Sequence, residues 1–201
     1  MVLIVRLDSA LRLVFPLRVG EDGSVLVQGY HTPISTETFE ANYRMLAATK
    51  AAIFGQGPRY AYEVGAAIAA LRLRDEARRD ALERGDVTPE GIPVTAGADA
   101  LLADMRRLTA VAVPGAGGWE TVPVDLAIKR QHIDAEDWRE AESGLVFFSC
   151  VYFMTRRAQR ATIASLVASV MQGSTTSLSL TEWTASLPTS MPAGPSLVAA
   201  A

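Results

Sequence analysis

The sequence predicts a mainly α-helical protein with a small N-terminal antiparallel β-hairpin or sheet, an α+β fold whose core is helical. Apolar residues alternate between positions 11 and 17 and return at positions 25–27, which is the period of a β-strand. Asp22-Gly23 stands between these runs, and this dipeptide favours the tight turn of a hairpin. From Ser35 onward, apolar residues recur every three or four positions instead, which is the period of a helix.

The β-rich opening occupies residues 2–30 and is expected to form two or three strands. Residues 2–7 are a first short run rich in valine, leucine and isoleucine. Pro16 has no N–H to donate, so its strand is expected at an edge of the sheet or at a bulge. Because a sheet this small is marginally stable alone, we expect it to pack on the helices that follow.

Two helices are predicted in the rest of the N-terminal half. The first begins at Ser35, whose side chain can cap the first turn, and it ends at the glycines and proline of residues 55–58. The second covers about residues 59–84, with an apolar first half and a densely charged second half. That change in composition indicates a helix that leaves the core and projects either into solvent or onto a partner.

A glycine- and proline-rich stretch divides the predicted organisation. Residues 85–97 contain three glycines and two prolines, so we interpret them as a linker loop. They separate residues 1–84, the hairpin with its two helices, from a helical region at residues 98–172. The remaining residues, 173–201, are rich in Ser, Thr, Pro and Ala and are interpreted as a tail that is mobile after Pro188.

The second half of the chain contains two predicted helices. The first spans about residues 98–112 and is stopped by Pro114-Gly-Ala-Gly-Gly118, after which residues 119–124 suggest a short strand. The second helix is capped by Asp134 and is expected to extend to about Gln172, broken or bent near Ser143-Gly144. Four apolar residues of the tail are expected to dock, either on this chain or on a partner: Leu178, Leu180, Trp183 and Leu187.

Charge and hydropathy argue against several classes of partner. The formal net charge is -3 with both signs interspersed, which is not the basic field that nucleic acids select, so nucleic acid is not an expected partner. The opening Met-Val-Leu-Ile-Val-Arg lacks the pattern of a signal peptide. The longest apolar run, residues 144–154, falls short of the ~20 residues of a spanning helix, so no membrane insertion is expected.

The two histidines and the cysteine are the first candidates for chemistry, and each has a simpler interpretation. His31 is interpreted as a residue of the turn between the hairpin and the first helix. His132 and Glu136 are spaced to share a helix face, but two ligands do not make a metal site, and His132 lies outside the helix if Asp134 caps it. Cys150 has apolar neighbours and is interpreted as a buried, inert thiol, which fits a cytoplasmic protein.

Two glycine-rich stretches and an acidic cluster are the remaining candidates. Gly55-Gln-Gly57 lacks the third glycine of a dinucleotide fingerprint, where Tyr60 stands, and no Lys-Ser/Thr follows Gly115-Ala-Gly117-Gly118, so both are interpreted as helix punctuation. Five acidic residues fit the positive end of a helix dipole better than a cation site: Asp134, Glu136, Asp137, Glu140 and Glu142. We therefore assign no residue to catalysis, to a cofactor or to a metal.

Four segments of the chain together carry a family resemblance. They are the β-rich opening at residues 2–27, the helix entry Pro33-Ile-Ser-Thr-Glu-Thr-Phe39, the run Asp134-Ala-Glu-Asp-Trp-Arg-Glu-Ala-Glu142 and the segment Thr175-Thr-Ser-Leu-Ser-Leu-Thr-Glu-Trp183. In this layout, over about residues 1–187, the chain resembles the tail assembly chaperones of long-tailed bacteriophages.

The resemblance implies a non-catalytic protein of the infected host cytoplasm. Such proteins coat the tape-measure protein, recruit tail tube subunits and leave before the tail is complete; many also have a longer form made by frameshifting. The resemblance assigns no binding residue. Three hypotheses follow: this assembly protein, with self-association left open; a structural virion component such as a tail or connector subunit; and an enzyme of unrecognised type.

Overall fold

The computed structural model describes residues 11–188, so the predicted strand at residues 2–7 and the tail beyond Pro188 lie outside the described residues. The strands are β1 (Arg12–Val19), β2 (Val25–His31), β3 (Thr109–Gly115), β4 (Gly118–Pro123) and β5 (Ser174–Thr176). The helices are α1 (Thr36–Ala41), α2 (Tyr43–Phe54), α3 (Pro58–Tyr60), α4 (Ala66–Arg84), α5 (Ala96–Arg107), α6 (Val124–Lys129), α7 (Ala135–Phe153), α8 (Arg160–Val170) and α9 (Leu180–Ser186). A π-helical turn (Ala61–Gly65) joins α3 to α4, and a 3-10 turn (Arg157–Gln159) precedes α8.

The five strands form one antiparallel sheet in the order β4-β3-β2-β1-β5. The prediction of a mainly helical fold with only a small N-terminal hairpin is therefore wrong, because the sheet takes strands from both halves of the chain. The predicted hairpin of β1 and β2 is confirmed. Pro16 lies beyond the three residues of β1 that pair with β5, at an irregularity in the β1–β2 register, as its missing N–H predicts.

The missed strands have a physical explanation. The sequence of β3 is Thr-Ala-Val-Ala-Val-Pro-Gly, in which small residues alternate with valines. The predicted helix of residues 98–112 includes the start of this strand, whereas α5 ends at Arg107. The glycines at positions 115–118 turn the chain between β3 and β4, so their interpretation as a helix stop is wrong. The predicted short strand at residues 119–124 is confirmed as β4. β5 has three polar residues, so no apolar alternation marks it in the sequence; it pairs with β1, and Thr175 also lies 3.2 Å from Ser165 of α8 between hydroxyl oxygens.

The sheet has two buried faces of unequal size. On β1, Leu13, Phe15 and Leu17 belong to the large core shared with the helices. Val14 points to the opposite side, because successive side chains of a strand alternate, and it belongs to a second, smaller cluster that α9 covers. Four apolar residues of the C-terminal segment were expected to dock, and docking on their own chain is confirmed at Trp183, which is 5% exposed.

Helix α7 is the centre of the large core. All of its residues from Ala141 to Val151 are buried, and Phe147 and Phe148 have no exposed surface. Because no side of this segment faces water, other elements must surround it, and α2, α4, α5, α8 and β1 all contact it. The predicted break near Ser143-Gly144 is wrong, since the helix continues through these residues and ends at Phe153.

The predicted N-terminal caps of α1 and α7 and the predicted turn of the first hairpin are present in the structure. The Ser35 side chain accepts from the N–H of Thr38, which confirms the predicted start of α1. Asp134 caps α7 in a reciprocal capping box with Asp137. In the first hairpin, the Asp22 side chain accepts from the N–H of Ser24, and Gly23 has a φ of 81°, a conformation that glycine adopts without strain.

The charged half of α4 stays on the core, which corrects the expectation that it leaves the protein body. Ala77 and Ala81 remain buried, and so does Glu76, which pairs with Arg79. Arg74 pairs with Glu142 of α7 at 2.6 Å, and Arg44 of α2 pairs with Asp80 at 2.9 Å.

Among residues 11–188, no helix combines the length and the apolar character that crossing a bilayer requires.

The pairing of Phe15 with Gly29 provides a test of the sheet. These residues face each other across β1 and β2, and a Cβ atom on Gly29 would lie 2.8 Å from Phe15 Cε2. We expect Gly29→Val to lower the free energy of unfolding by about 1–3 kcal/mol, because the ring must move within a packed core. Urea unfolding of the purified variant measures this change.

The control for this substitution is Gly97→Ala in the first turn of α5. A Cβ atom there meets nothing within 4 Å. We expect stability equal to that of the wild type or higher by up to ~1 kcal/mol, because alanine favours the helix. Equal losses in the two variants would contradict the described contact between Gly29 and Phe15.

Candidate functional site

His31 ends β2 inside the core, so its interpretation as a turn residue is wrong. Its side chain is fully buried, with Nδ1 3.0 Å from Thr109 Oγ1. The Thr109 hydroxyl donates its only proton to the carbonyl oxygen of Met105, so His31 Nδ1 must be the donor to Thr109. Burial lowers the pKa of His31 to about 3, so the imidazole is neutral near pH 7 and links β2 to β3 and α5.

His132 and Cys150 have environments that match their simpler interpretations. His132 precedes the capping residue Asp134, so it is outside α7 and does not share a helical face with Glu136. The Cys150 thiol donates to the carbonyl oxygen of Leu46 at 3.4 Å. Burial raises the pKa of Cys150 to about 12, so the thiol stays protonated near neutral pH, and the prediction that it is buried is confirmed.

The glycine-rich stretches separate elements of secondary structure. Gly55 and Gly57 lie between α2 and α3, which confirms their interpretation as helix punctuation. Gly115 pairs with Gly118 at the turn of the β3–β4 hairpin, where the chain connects two strands. The second stretch therefore does not lead into the helix N-terminus on which a phosphate loop depends.

An open cleft of about 630 Å³ lies where the end of β1 meets the π-helical turn, the first turns of α7 and the end of α8. The buried and half-buried residues that line it are mainly apolar and form its floor: Phe15, Leu17, Tyr62, Ala66, Ala141, Gly144 and Met171. The charged side chains that line it form its rim: Arg18, Glu63, Asp134, Asp137 and Glu140. The rim therefore has four carboxylates and one guanidinium.

Arg18 connects β1 to the start of α7 across the cleft wall. Its Nη2 atom lies 2.6 Å from Asp137 Oδ2 and 3.3 Å from Asp134 Oδ2, and its Nε atom donates to Asp137 Oδ2 at 3.1 Å. Asp137 Oδ2 also accepts from the N–H of Asp134 at 2.8 Å. One carboxylate thus completes the helix cap and fixes the end of β1, which gives the cleft a rigid wall.

Two of the rim carboxylates, those of Asp134 and Asp137, cap the N-terminus of α7. The N–H groups of Asp137 and Glu136 donate to Asp134 and hold the pKa of its carboxyl below the usual value. This agrees with the prediction that the acidic cluster complements the helix N-terminus. Glu142, a member of the same predicted cluster, is buried and pairs with Arg74 instead of facing the cleft.

The other two rim carboxylates are available to solvent. Glu63 is exposed on the π-helical turn and pairs with Arg59, one turn earlier, at 2.9 Å. Glu140 is exposed on α7, and the part of the chain that the structure describes provides it with no ion-pair partner. Among residues 11–188, no group of three or more potential ligands is arranged to hold a metal ion. Glu63 and Glu140 are thus the two exposed carboxylates on the rim of the cleft.

Close packing shapes the floor of the cleft. A Cβ atom on Gly144 would lie 2.7 Å from Met171 Sδ, so the glycine gives the Met171 side chain its position against α7. Gly65, at the end of the π-helical turn, lies against Phe147, with 3.4 Å between a Cβ atom at that position and Cε2. The extra residue of the π-helical turn shifts Tyr62 and Glu63 relative to an ordinary helix, and such turns are frequent at functional sites.

The sequence predicts the acidic residues on one wall of this cleft but not the residues that lie opposite or contact them. The sequence predicts an acidic cluster that includes Asp134 and Glu140, but nothing in it indicates that Arg18, Tyr62 and Met171 lie beside that cluster. The one available signal was Arg18 itself, a charged residue inside an apolar, alternating strand. Its partner Asp137 is 119 positions away, and no local pattern specifies that distance.

The link made by Asp137 can be tested by truncation. We expect Asp137→Ala to lower the free energy of unfolding by about 1–2 kcal/mol, since the variant loses half of the capping box and the ion pair with Arg18. Urea unfolding gives the value. The control is Glu136→Ala in the same helical turn, which removes a carboxylate without breaking the cap, and its effect should be a few tenths of a kcal/mol. If Glu136→Ala lowers the free energy of unfolding as much as Asp137→Ala does, the cap and ion pair of Asp137 do not account for the loss.

The buried His31 predicts sensitivity to acid. In the unfolded chain the imidazole takes up a proton near pH 6.5, whereas in the folded protein its pKa is about 3. Stability from this group is therefore complete above pH 6.5 and is lost as the pH falls toward 3, by about 2–3 kcal/mol at pH 4.5. Urea unfolding at several pH values should give a shallower decline for His31→Asn, whose amide can still donate to Thr109.

His132→Asn, which changes a histidine outside the core, should retain the pH profile of the wild type. If His31→Asn and wild type lose stability in parallel on acidification, the neutral buried imidazole is not a source of the acid sensitivity.

Comparisons with known protein families, with curated proteins and with solved structures find no match to this chain.

Proposed function

We propose that this protein is a non-catalytic assembly protein that binds a segment of a helical partner in the cleft. The observation that carries the proposal is the combination of an apolar floor with a rim of four carboxylates and one guanidinium. An amphipathic helix with a basic residue beside its apolar stripe has the complementary chemistry, because it buries the stripe and pairs the charge.

The rigidity of the cleft supports recognition of a preformed segment. The Arg18–Asp137 link fixes one wall, and the packing of Met171 on Gly144 fixes the floor. A site whose walls are already ordered loses little conformational entropy when a partner binds. A short helical segment, which is ordered by its own hydrogen bonds, matches such a site.

Exposed apolar residues outside the cleft also suit a long partner. Leu71 and Leu82 on the outer side of α4 are 60% and 58% exposed, and they lie about three helical turns apart. Ile92, in the loop that follows α4, is 61% exposed. Several weak contacts along one partner strengthen one another when they form together.

The resemblance to tail assembly chaperones supplies the identity of the proposed partners. In that role, the protein acts in the cytoplasm of an infected host, covers the apolar stripe of the tape-measure protein and brings tail tube subunits to it. The cleft is the surface that we assign to the tape-measure protein, because that partner is long and helical in the family.

The test is co-purification with the tape-measure protein encoded in the same genome. We expect the wild-type chain to retain this protein, and Glu63→Lys/Glu140→Lys to weaken the complex roughly tenfold or more, because both available carboxylates of the rim are reversed. A matched control, Glu40→Lys/Glu90→Lys, makes the same change of charge on exposed residues outside the cleft and should bind like the wild type.

Mass spectrometry of purified particles provides the second measurement. A chaperone is absent from the mature virion or present only in traces. A stoichiometric amount would instead establish a structural component, and the chaperone proposal would fail. Equal binding by the two double variants would remove the cleft as the binding site.

A further inference from the structure

Three helices of this protein, α4, α6 and α8, end in the same backbone motif. Near each end one residue takes a left-handed conformation, and the N–H of the following residue donates to the carbonyl oxygen five positions before it. These bonds, of 2.8, 3.0 and 2.9 Å, join Asp86 to Ala81, His132 to Ala127 and Gly173 to Ala168. The left-handed residue therefore has the same structural role in all three helices.

The amino acid at the left-handed position differs among the three helices. It is Gly85 after α4, with a φ of 75°, but Gln131 after α6 and Gln172 after α8, with φ values of 61° and 53°. Glycine is the usual residue here and asparagine the usual alternative, because a Cβ atom strains the backbone in this conformation. Among residues 11–188, these two glutamines are the only residues other than glycine with a positive φ. Strained residues of this kind cluster at functional sites.

Both glutamines lie close to the cleft, but they relate to it differently. The main-chain carbonyl oxygen of Gln131 accepts from Arg18 Nη1 at 3.4 Å, a contact for which any residue has the necessary atom. The side chain of Gln172 lines the cleft itself. Gln172 is therefore the position at which the identity of the side chain can affect a ligand in the cleft.

The end of α8 forms an otherwise apolar wall of the cleft. Gln172 shares this wall with Val170 and Met171, whereas the charged rim residues belong to β1, the π-helical turn and the first turns of α7. Gln172 is exposed, and in the part of the chain that the structure describes its side-chain amide has no hydrogen-bond partner. The amide thus makes no contact in the free protein that would offset the strained backbone, so we expect it to be used in a complex.

We propose that Gln172 determines the specificity of the cleft by forming a hydrogen bond with an uncharged polar side chain of the bound segment. The inference rests on the function proposed for the cleft and adds one feature to the partner. A helix whose apolar stripe faces the floor places a basic residue toward the rim carboxylates and an Asn, Gln, Ser or Thr toward the α8 wall. Segments that lack this polar group leave the amide unpaired and bind less well.

The test replaces the two glutamines by glycine, one at a time. Gln172→Gly removes both the backbone strain and the amide, and Gln131→Gly removes the same strain at a side chain that does not line the cleft. We expect both variants to unfold at a higher urea concentration than the wild type, because glycine adopts a positive φ freely. The Kd for the tape-measure protein encoded in the same genome should rise roughly three- to tenfold for Gln172→Gly, as expected for one hydrogen bond, and stay unchanged for Gln131→Gly.

Gly85→Gln makes the opposite substitution in the same motif. A Cβ atom at this position meets nothing within 4 Å, so the backbone conformation is the main source of any change. We expect this variant to unfold at a lower urea concentration than the wild type and to bind the tape-measure protein with the same Kd. If it is as stable as the wild type, the left-handed position imposes no strain on glutamine and the inference fails.

The binding measurements separate this inference from the function proposed for the cleft. If Glu63→Lys/Glu140→Lys weakens binding but Gln172→Gly does not, the cleft remains the binding site and the role of Gln172 is refuted. If Gln131→Gly weakens binding as much as Gln172→Gly does, the effect comes from the backbone and the role of the amide is again refuted. If the wild-type chain does not bind the tape-measure protein, both proposals fail together.

Discussion

The burial of α7 on every side is the constraint on which the rest of the structure depends. A helix whose residues from Ala141 to Val151 are all buried needs neighbours around its whole circumference. Helices α2, α4, α5 and α8 supply part of that cover, and the sheet supplies the rest through β1. The cleft lies where this enclosure ends, because the acidic first turns of α7 emerge from the core beside the end of β1. The position of the candidate site is thus a consequence of how the core is closed.

Two of the polar groups that enter this core have specific partners within it. His31 donates to Thr109, and Thr109 donates to Met105, so one short chain of hydrogen bonds links two strands and a helix. Glu142 is buried, and the guanidinium of Arg74 provides its counter-charge at 2.6 Å. Glu63 and Glu140 on the cleft rim differ from these groups in being exposed to solvent.

Local features could be predicted from the sequence, whereas distant pairing could not. The caps at Ser35 and Asp134 and the turn at Asp22-Gly23 depend on residues within three positions of one another, and all three were predicted. The pairing of β2 with β3 joins residues about eighty positions apart, and β3 has small residues that also fit a helix. Gly144 shows the same limit at one position. A glycine within a helix suggests a break, but here the missing side chain allows Met171, which follows α8, to approach α7 closely. For the cleft, the acidic wall was visible as a cluster, but Arg18 acquires its role only through a contact that spans most of the chain.

The chain between α8 and α9 connects the cleft on one side of the sheet to the apolar surface that α9 covers on the other. Val170, Met171 and Gln172 line the cleft, Gly173 passes β1 at a distance where a Cβ atom would lie 3.0 Å from Phe15 Cβ, and β5 then pairs with the edge of β1. Beyond β5, the chain reaches the opposite face of the sheet, where Trp183 packs near Val14. Neighbouring residues of β1 therefore face the two surfaces, Phe15 toward the cleft and Val14 toward α9. The two faces of the sheet are thus packed by different parts of the chain, the helices of the large core on one side and α9 on the other. This division follows from the alternation of side chains along a single strand, because consecutive residues of β1 point to opposite faces.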